Sequence, residues 1–337
     1  MSRTHRAERL GAALAPLLLA GCDARMSMFR PASPEAARIS RLTWFLVVAA
    51  AVVYVVVIAF LVAAILRRRR ADARAVDLAP TGSRAVIVGG AVIPGIILVA
   101  IFVLGLGAMR TYPTADGARL LTYEVTGHQW WWDVVYRDPT LGASFRTANE
   151  IHVPVGQPVQ LTLVSADVIH SFWVPQLQGK IDLIPGDTNS IRFVASKPGR
   201  YRGQCAEYCG TQHAHMALVV VAEDSATFRS WVAAQRQASV APADSEALLG
   251  QRLVVGGPCA LCHTIGGTSA NATVGPDLTH VGSRLTLAAG ELPNGPATME
   301  AWITNAQSLK PGAQMPSITQ FNGRELRAMA TYLESLK

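Results

Sequence analysis

Two long apolar runs, Trp44 to Leu66 and Ala85 to Met109, contain no Asp, Glu, Lys or Arg, and nothing else in the chain restricts its folding as strongly. Each is long enough to cross a bilayer core of about 30 Å, whereas a buried helix of a soluble protein rarely stays uncharged for more than ~20 residues. Between the runs lies Arg67-Arg68-Arg69-Arg70, followed by Arg74 and Arg84. The positive-inside rule puts this loop in the cytoplasm and both ends of the chain on the outer side. A bacterial inner membrane with periplasmic soluble domains is therefore expected. The same arginines explain the net charge of +7, because the Arg67–Arg84 stretch and the first 21 residues hold nearly all of the excess. No basic surface is left for nucleic acid, and that class of partner is excluded.

At the N-terminus, Arg3, Arg6 and Arg9 precede a short apolar stretch, Gly11 to Ala20. It is too short to span and reads as a signal peptide over residues 1–21. Leu19-Ala20-Gly21-Cys22 resembles a bacterial lipoprotein processing site. By that resemblance Cys22 becomes the lipidated first residue of the mature chain; otherwise it is a spare thiol. Residues 22–110 then hold an N-terminal segment and the two spans, about 44–66 and 85–109.

Residues 111–223 change texture. Leu120–Tyr136, Glu150–Val155, Val159–Val164, Ser190–Val194 and Met216–Ala222 are short β-branched or aromatic runs, separated by turns such as Pro185-Gly186-Asp187. They predict an all-β sandwich or barrel. Asp224–Gln237 reads as a short helix and Ala238–Ser245 as a flexible Pro/Ala/Ser linker, together residues 224–245. From 246 to 337 the pattern is helical, most clearly at Met299–Leu309 and Arg324–Leu336.

Cysteine spacing carries the chemistry. Five cysteines in an exported chain could form two disulfides with one left over. Yet Cys259-Ala260-Leu261-Cys262-His263 is the C-x-x-C-H pattern of covalent c-type haem attachment, two thiols bonding the porphyrin edge while the next imidazole reaches the iron. A redox dithiol or partial zinc site would have no need of His263. For the sixth ligand, Met299 and Met329 fall in amphipathic helical segments, where methionine is usually core filling. Met315 lies in Lys310-Pro311-Gly312-Ala313-Gln314-Met315-Pro316, a loop able to present its sulfur, and is assigned as the axial ligand. With Gly275-Pro276-Asp277-Leu278 between the two, this region resembles an all-α class I cytochrome c.

The second pair sits in Cys205-Ala206-Glu207-Tyr208-Cys209-Gly210-Thr211-Gln212-His213-Ala214-His215-Met216. Two thiolates, an imidazole and a thioether make a soft donor set suited to copper. A single-copper site needs one Cys; two bridging thiolates hold two coppers and call for another histidine. His170, 35 residues before Cys205, is the natural candidate.

His170 followed by Cys-x3-Cys-x3-His-x2-Met resembles the binuclear copper motif of the cytochrome c oxidase subunit II family, in members fused to a cytochrome c. The resemblance runs over residues 40–223, including the spans and Gly127-His128-Gln129-Trp130-Trp131-Trp132. It implies a cupredoxin-like fold in which Cys205 and Cys209 bridge the coppers, His170 and His213 cap one each, and Met216 and the Glu207 carbonyl complete the sites. It also implies magnesium at the Glu207 side chain and electron entry at Trp130, although the tryptophan run has a plain reading as aromatic filling or an interfacial belt. His215, two residues beyond His213 in an extended segment, should face away. One departure is Arg84-Ala85-Val86-Ile87, with no acid at the start of the second span, which puts a proton-path role in doubt.

The expected molecule is thus a multi-domain membrane protein: a two-helix hairpin, a cupredoxin-like sandwich and a cytochrome c domain. It would pass electrons from a c-type haem through a binuclear copper centre to a large multi-span catalytic subunit with its own haems and copper. Further oxidase subunits, and cytochrome c or a quinol–cytochrome c reductase as donor, complete the implied partners. The spans hold no histidine, so this chain would act in an oxygen-reducing, proton-translocating enzyme without performing oxygen chemistry itself. A membrane-anchored copper-delivery or thiol-redox factor is the alternative, and it would require an α/β thioredoxin-like domain. A nitrogen-oxide reductase component fits the combination of haem, copper and two spans less well.

Overall fold

A computed structural model describes residues 26–68, 80–109, 120–142 and 144–337; the lipidation expected at Cys22 falls outside them. The apolar runs lie within helices longer than apolarity marks. Helix α1, Pro34–Arg68, starts well before Trp44 because its first turn is capped: Ala36 N–H donates to the Ser33 hydroxyl at 2.9 Å. Pro34 takes the first helical position, where a missing N–H is harmless. The second apolar run is interrupted. Helix α2, Pro80–Ile87, passes through a π turn at Val88–Val92 into helix α3, Ile93–Met109. Gly89-Gly90 and the following Pro94, which lacks a donor for the α-helical ladder, account for the wider turn. In both helices none of the apolar window is buried, with mean hydropathies of 3.2 and 2.8. Uninterrupted apolar surface of this kind suits lipid, where the helix itself satisfies every backbone group.

Residues 26–36 and those from 120 onward belong to one compact unit. Its first part is a sandwich of two five-stranded sheets, β3-β2-β1-β5-β8 and β4-β10-β9-β6-β7. The strands are β1 Leu121–His128, β2 Trp131–Tyr136, β3 Phe145–Ala148, β4 Glu150–Pro154, β5 Pro158–Ser165, β6 His170–Trp173, β7 Ile181–Leu183, β8 Asn189–Val194, β9 Gly199–Cys205 and β10 Ala217–Glu223. Alternation along β1 buries Leu121, Tyr123 and Val125 against the inner face of the other sheet. Trp132, Phe172, Leu161, Leu163 and Met216 fill the core. The segment before α1 is stitched on by backbone bonds, Ala32 N–H to Gln176 O at 2.8 Å and Ser196 N–H to Ala32 O at 2.7 Å.

Helix α4, Ser225–Gln235, is capped by Asp224 and packs on this core through Phe228 and Val232. Its Trp231 stacks on His152 at 3.9 Å between ring centres. The stretch after it, which composition predicts to be a flexible linker, is held to the next domain where it begins. Both the N–H and the hydroxyl of Ser239 donate to Gly266 O, at 2.9 and 2.6 Å, and Gln237 O accepts from the His280 ring at 3.0 Å. Small polar residues permit flexibility; here their backbone groups have found partners on the next domain.

That domain is built on α5 Ser245–Val255, α6 Pro296–Leu309 and α7 Gly323–Ser335. The first and last cross tightly, since a Cβ at Gly250 would fall 1.9 Å from Ala328 O. Asn322 caps α7, and Glu325 returns a bond to the Asn322 N–H. Pro296 at the head of α6 starts that helix slightly earlier than Met299.

Candidate metal centres

Strand pairing assembles the first site. In the antiparallel β6–β9 pair, Phe172 lies opposite Cys205, so the buried start of β6, His170, arrives beside the end of β9. β10 pairs back on β9 with Ala217 opposite Gln204, so Met216 is delivered to the same place and residues 206–215 form the loop between. Cys205 Sγ and Cys209 Sγ are 3.7 Å apart. Cys205 Sγ lies 3.9 Å from His170 Nδ1 and 3.3 Å from Glu207 O, while Cys209 Sγ lies 3.6 Å from His213 Nδ1 and 3.8 Å from Met216 Sδ. Each thiol thus has its own imidazole and one weaker donor; His170, both thiols and Met216 are buried, and His213 is half-buried. His170, Cys205 and Cys209 alone already meet the geometry of a metal-ion cluster, and the donor set is soft.

The surroundings pre-position these groups. His170 Nε2 is 2.8 Å from Asp167 Oδ1, which turns Nδ1 toward the thiols, the usual arrangement for a ligating imidazole. The thiols differ electrostatically. The Cys209 thiol donating to Cys205 pulls the latter's pKa down to about 3 despite burial, and for the same reason Cys209 is pushed up. Two amide-type donors converge on the Cys209 carbonyl, Gln129 Nε2 at 2.7 Å and the Trp130 indole N–H at 2.9 Å. Trp130 is therefore one hydrogen bond from a thiol-bearing residue. Asp167 and Gln129 escaped the sequence reading; Asp167 three residues before His170 was a signal that could have marked it.

Two expected residues sit apart. His215 does face away, but not as part of a strand: residues 213–215 form a 3-10 turn, and its ring bonds Glu291 at 2.7 Å. The Glu207 side chain is half exposed with Lys180 Nζ at 3.5 Å; only its backbone carbonyl meets the cluster.

The second site is an apolar cavity lined by Cys259, Cys262, His263 and Met315. His263 Nδ1 donates to Pro276 O at 2.7 Å, leaving Nε2 for the cavity, and burial lowers the ring's pKa. A Cβ at Gly275 would fall 2.6 Å from His263 Cε1, so that glycine allows the imidazole its place. Met299 on α6 also lines the cavity, whereas Met329 lies in the helical core away from it. Arg284 is in the wall as well. Its Nη2 donates to Asp277 O, and among the described residues its buried Nε has no partner. A flat macrocycle carrying carboxylates fits such a cavity, with apolar walls, two thiols at one edge and an unsatisfied guanidinium N–H. The cavity is not confined to the helical domain, since Gln129, Trp130 and Trp131 of the sandwich close part of it.

Two packed β sheets carry the thiol pair, not the α/β layer that a thiol-redox factor would require. Comparison with known proteins shows the family. Residues 141–223 match the family described as cytochrome c oxidase subunit II, periplasmic domain, and residues 247–337 match cytochrome c. A cytochrome c oxidase subunit 2 from Alkalihalophilus pseudofirmus is 36% identical over 261 residues, 76% of this chain and 74% of its own. Another, from Bacillus subtilis, is 29% identical, and the alignment covers 96% of both chains. Among solved structures, the periplasmic domain of subunit II of cytochrome oxidase from Bradyrhizobium japonicum is 35% identical, with a TM-score of 0.34, and covers 37% of this chain and 97% of that one.

Proposed function

The chain belongs to the cytochrome c oxidase subunit II family, and from that premise we propose that its two clusters are a binuclear copper centre and a covalent c-type haem site. The protein is an electron-transfer subunit of a haem–copper oxidase, acting with a catalytic subunit and anchored in the membrane. Copper binds in the β domain and haem in the cytochrome c domain. In our reading Cys205, Cys209, His170, His213, Met216 and the Glu207 carbonyl would together hold the two coppers, and Cys259, Cys262, His263 and Met315 would hold the haem. The observation that carries this is the pair of sulfurs 3.7 Å apart, each with an imidazole nitrogen within 4 Å.

When bound, each group takes up and releases one electron at a time. The chain's residues fix where this happens. Asp167 and the Pro276 carbonyl hold His170 and His263 in one ring orientation. Burial of the thiols and thioether keeps water out, so the donors need not reorganise when the charge changes. The Trp130 indole, bonded to the Cys209 carbonyl and facing the haem cavity, is the entry point for electrons. Glu207 is assigned to magnesium at the boundary with the catalytic subunit, Cys22 to lipidation, and the arginine loop to the cytoplasmic side, which leaves both soluble domains periplasmic.

The test is spectroscopic. The purified chain loaded with copper should show the hyperfine pattern of one electron shared by two copper nuclei, together with the bands of a c-type haem. A pattern from a single copper nucleus would overturn the ligand assignment.

A further inference from the structure

The Lys310 ammonium is buried with 3% of the residue exposed, at the C-terminal cap of α6, where the loop bearing Met315 begins. Among the described residues no carboxylate is its hydrogen-bond partner, although Glu291 acts on it through space. Instead its three protons go to three backbone carbonyls: Trp130 O at 2.8 Å, His215 O at 2.8 Å and Ala288 O at 3.0 Å. That uses the full donor capacity of the group. Two of the acceptors belong to the sandwich and one to the cytochrome domain. The first is the backbone of the residue whose indole bonds Cys209; the second lies in the loop that bears the thiols.

A buried cation is tolerated only where every proton is matched. These three carbonyls converge in one relative placement of the two domains, and a slide of a few ångströms would leave the ammonium buried and unmatched. Lys310 therefore penalises other dockings more than it strengthens this one, the way a buried polar group fixes register elsewhere. Around it, other bonds cross the same interface: Ala217 N–H to Ala289 O at 2.9 Å, Leu285 N–H to Glu150 Oε2 at 2.9 Å, and Gln212 Nε2 to Pro311 O at 2.8 Å. With the bonds at Gln237 and Ser239, they describe a docked domain, not one swinging on a tether.

We propose that Lys310 is a positioning residue for electron transfer within this chain, setting the register in which the haem-bearing domain docks on the copper-bearing domain. This rests on the function proposed above. The step it serves moves one electron: the haem iron is oxidised, the copper pair is reduced, and no bond or proton is exchanged. Burial lowers the lysine's pKa to about 8, so the charged form still dominates at pH 7.

The test uses the full chain with Lys310→Met, which keeps the stem and removes the donors, and Lys310→Gln, which retains part of the donor set should the methionine variant fold poorly. Amide exchange at Ala217 and Leu285 reads docking directly. Both amides should exchange at least about tenfold faster in Lys310→Met, the factor that goes with losing a charged group's hydrogen bonds. Amides inside the β9–β10 pair should keep their protection, and the copper signal should keep its two-nucleus pattern; the haem bands are not the control, because Lys310 also lines the haem cavity. After a pulse that reduces the haem, copper reduction should slow and spread into several phases, less so in Lys310→Gln. Unchanged exchange at both amides with an unchanged single-phase rate would overturn the proposal. A wild-type chain without a two-copper spectrum would instead sink the site assignment, while the exchange measurement would still decide what Lys310 does.

Discussion

The two centres are built on opposite plans. In the sandwich, each other donor already stands within 4 Å of one of the two thiol sulfurs, held by strand register, by the Asp167 carboxylate accepting from His170 and by hydrogen bonds from Gln129 and Trp130 to the Cys209 carbonyl. The protein is a finished mould for small ions. In the cytochrome domain, the ligands surround an apolar cavity, and the hydrophobic cluster borders it without filling it. There the ligand completes the core. Preorganisation by polar contacts leaves a fold that stands without its metal, whereas a cavity of this kind makes the fold depend on what fills it.

The largest expected effect is accordingly loss of the haem. Cys259→Ser with Cys262→Ser should leave the cytochrome domain sensitive to protease and depleted in helix, while the sandwich remains resistant. A helical domain that stayed protected in that variant would break the contrast. Next, Met315→Ala should leave the haem attached by its thioethers but lower its potential, by on the order of 0.1 V out of the ~0.8 V that axial ligands span. Because Met299 lines the same cavity, the matching Met299→Ala identifies the ligand: only one of the two should move the potential.

Changes to the copper site should be local. Cys209→Ser should abolish the two-copper spectrum, leave the haem bands, and barely change the melting of the sandwich. Asp167→Asn keeps a partner for His170 Nε2 but removes the charge, and metal affinity measured by competition with a chelator should fall about 10- to 100-fold. The smallest effect is one of pH. Burial opposes a charge on His152, but hydrogen bonds to Glu150 and Glu223 override it and raise its pKa. A group whose pKa is raised in the folded state stabilises the fold below its ordinary value, and this stability is lost as pH rises through the raised one. Melting of the sandwich should therefore decline across and above the usual imidazole range, and the decline should vanish in His152→Gln.

What the chain revealed before its fold was known follows the same division. Spacing along the chain picked out the Cys205–Met216 loop and the Cys259-x-x-Cys262-His263 run as candidate sites, because those donors are local. His170 was nameable as a histidine but not placeable, since its arrival beside Cys205 depends on the β6–β9 register, a pairing between segments far apart in sequence. The outward direction of His215 was foreseen for the wrong reason: the segment is a turn, not a strand. The start of α1 was set too late because a cap at Ser33, not apolarity, decides where a helix begins. Most hidden was the interface between the domains. A stretch of Pro, Ala and Ser reads as flexible, and Lys310 reads as a solvated loop charge; only the fold gives each its partners.

In the proposed mechanism a single chain holds both centres and passes electrons between them while docked. Photoreduction of the haem in the full chain, with the copper spectrum followed in time, tests it most directly. Copper should be reduced as the haem is reoxidised, in one first-order phase whose rate does not change with protein concentration. A rate that rose in proportion to concentration, or a haem that stayed reduced beside oxidised copper, would contradict it.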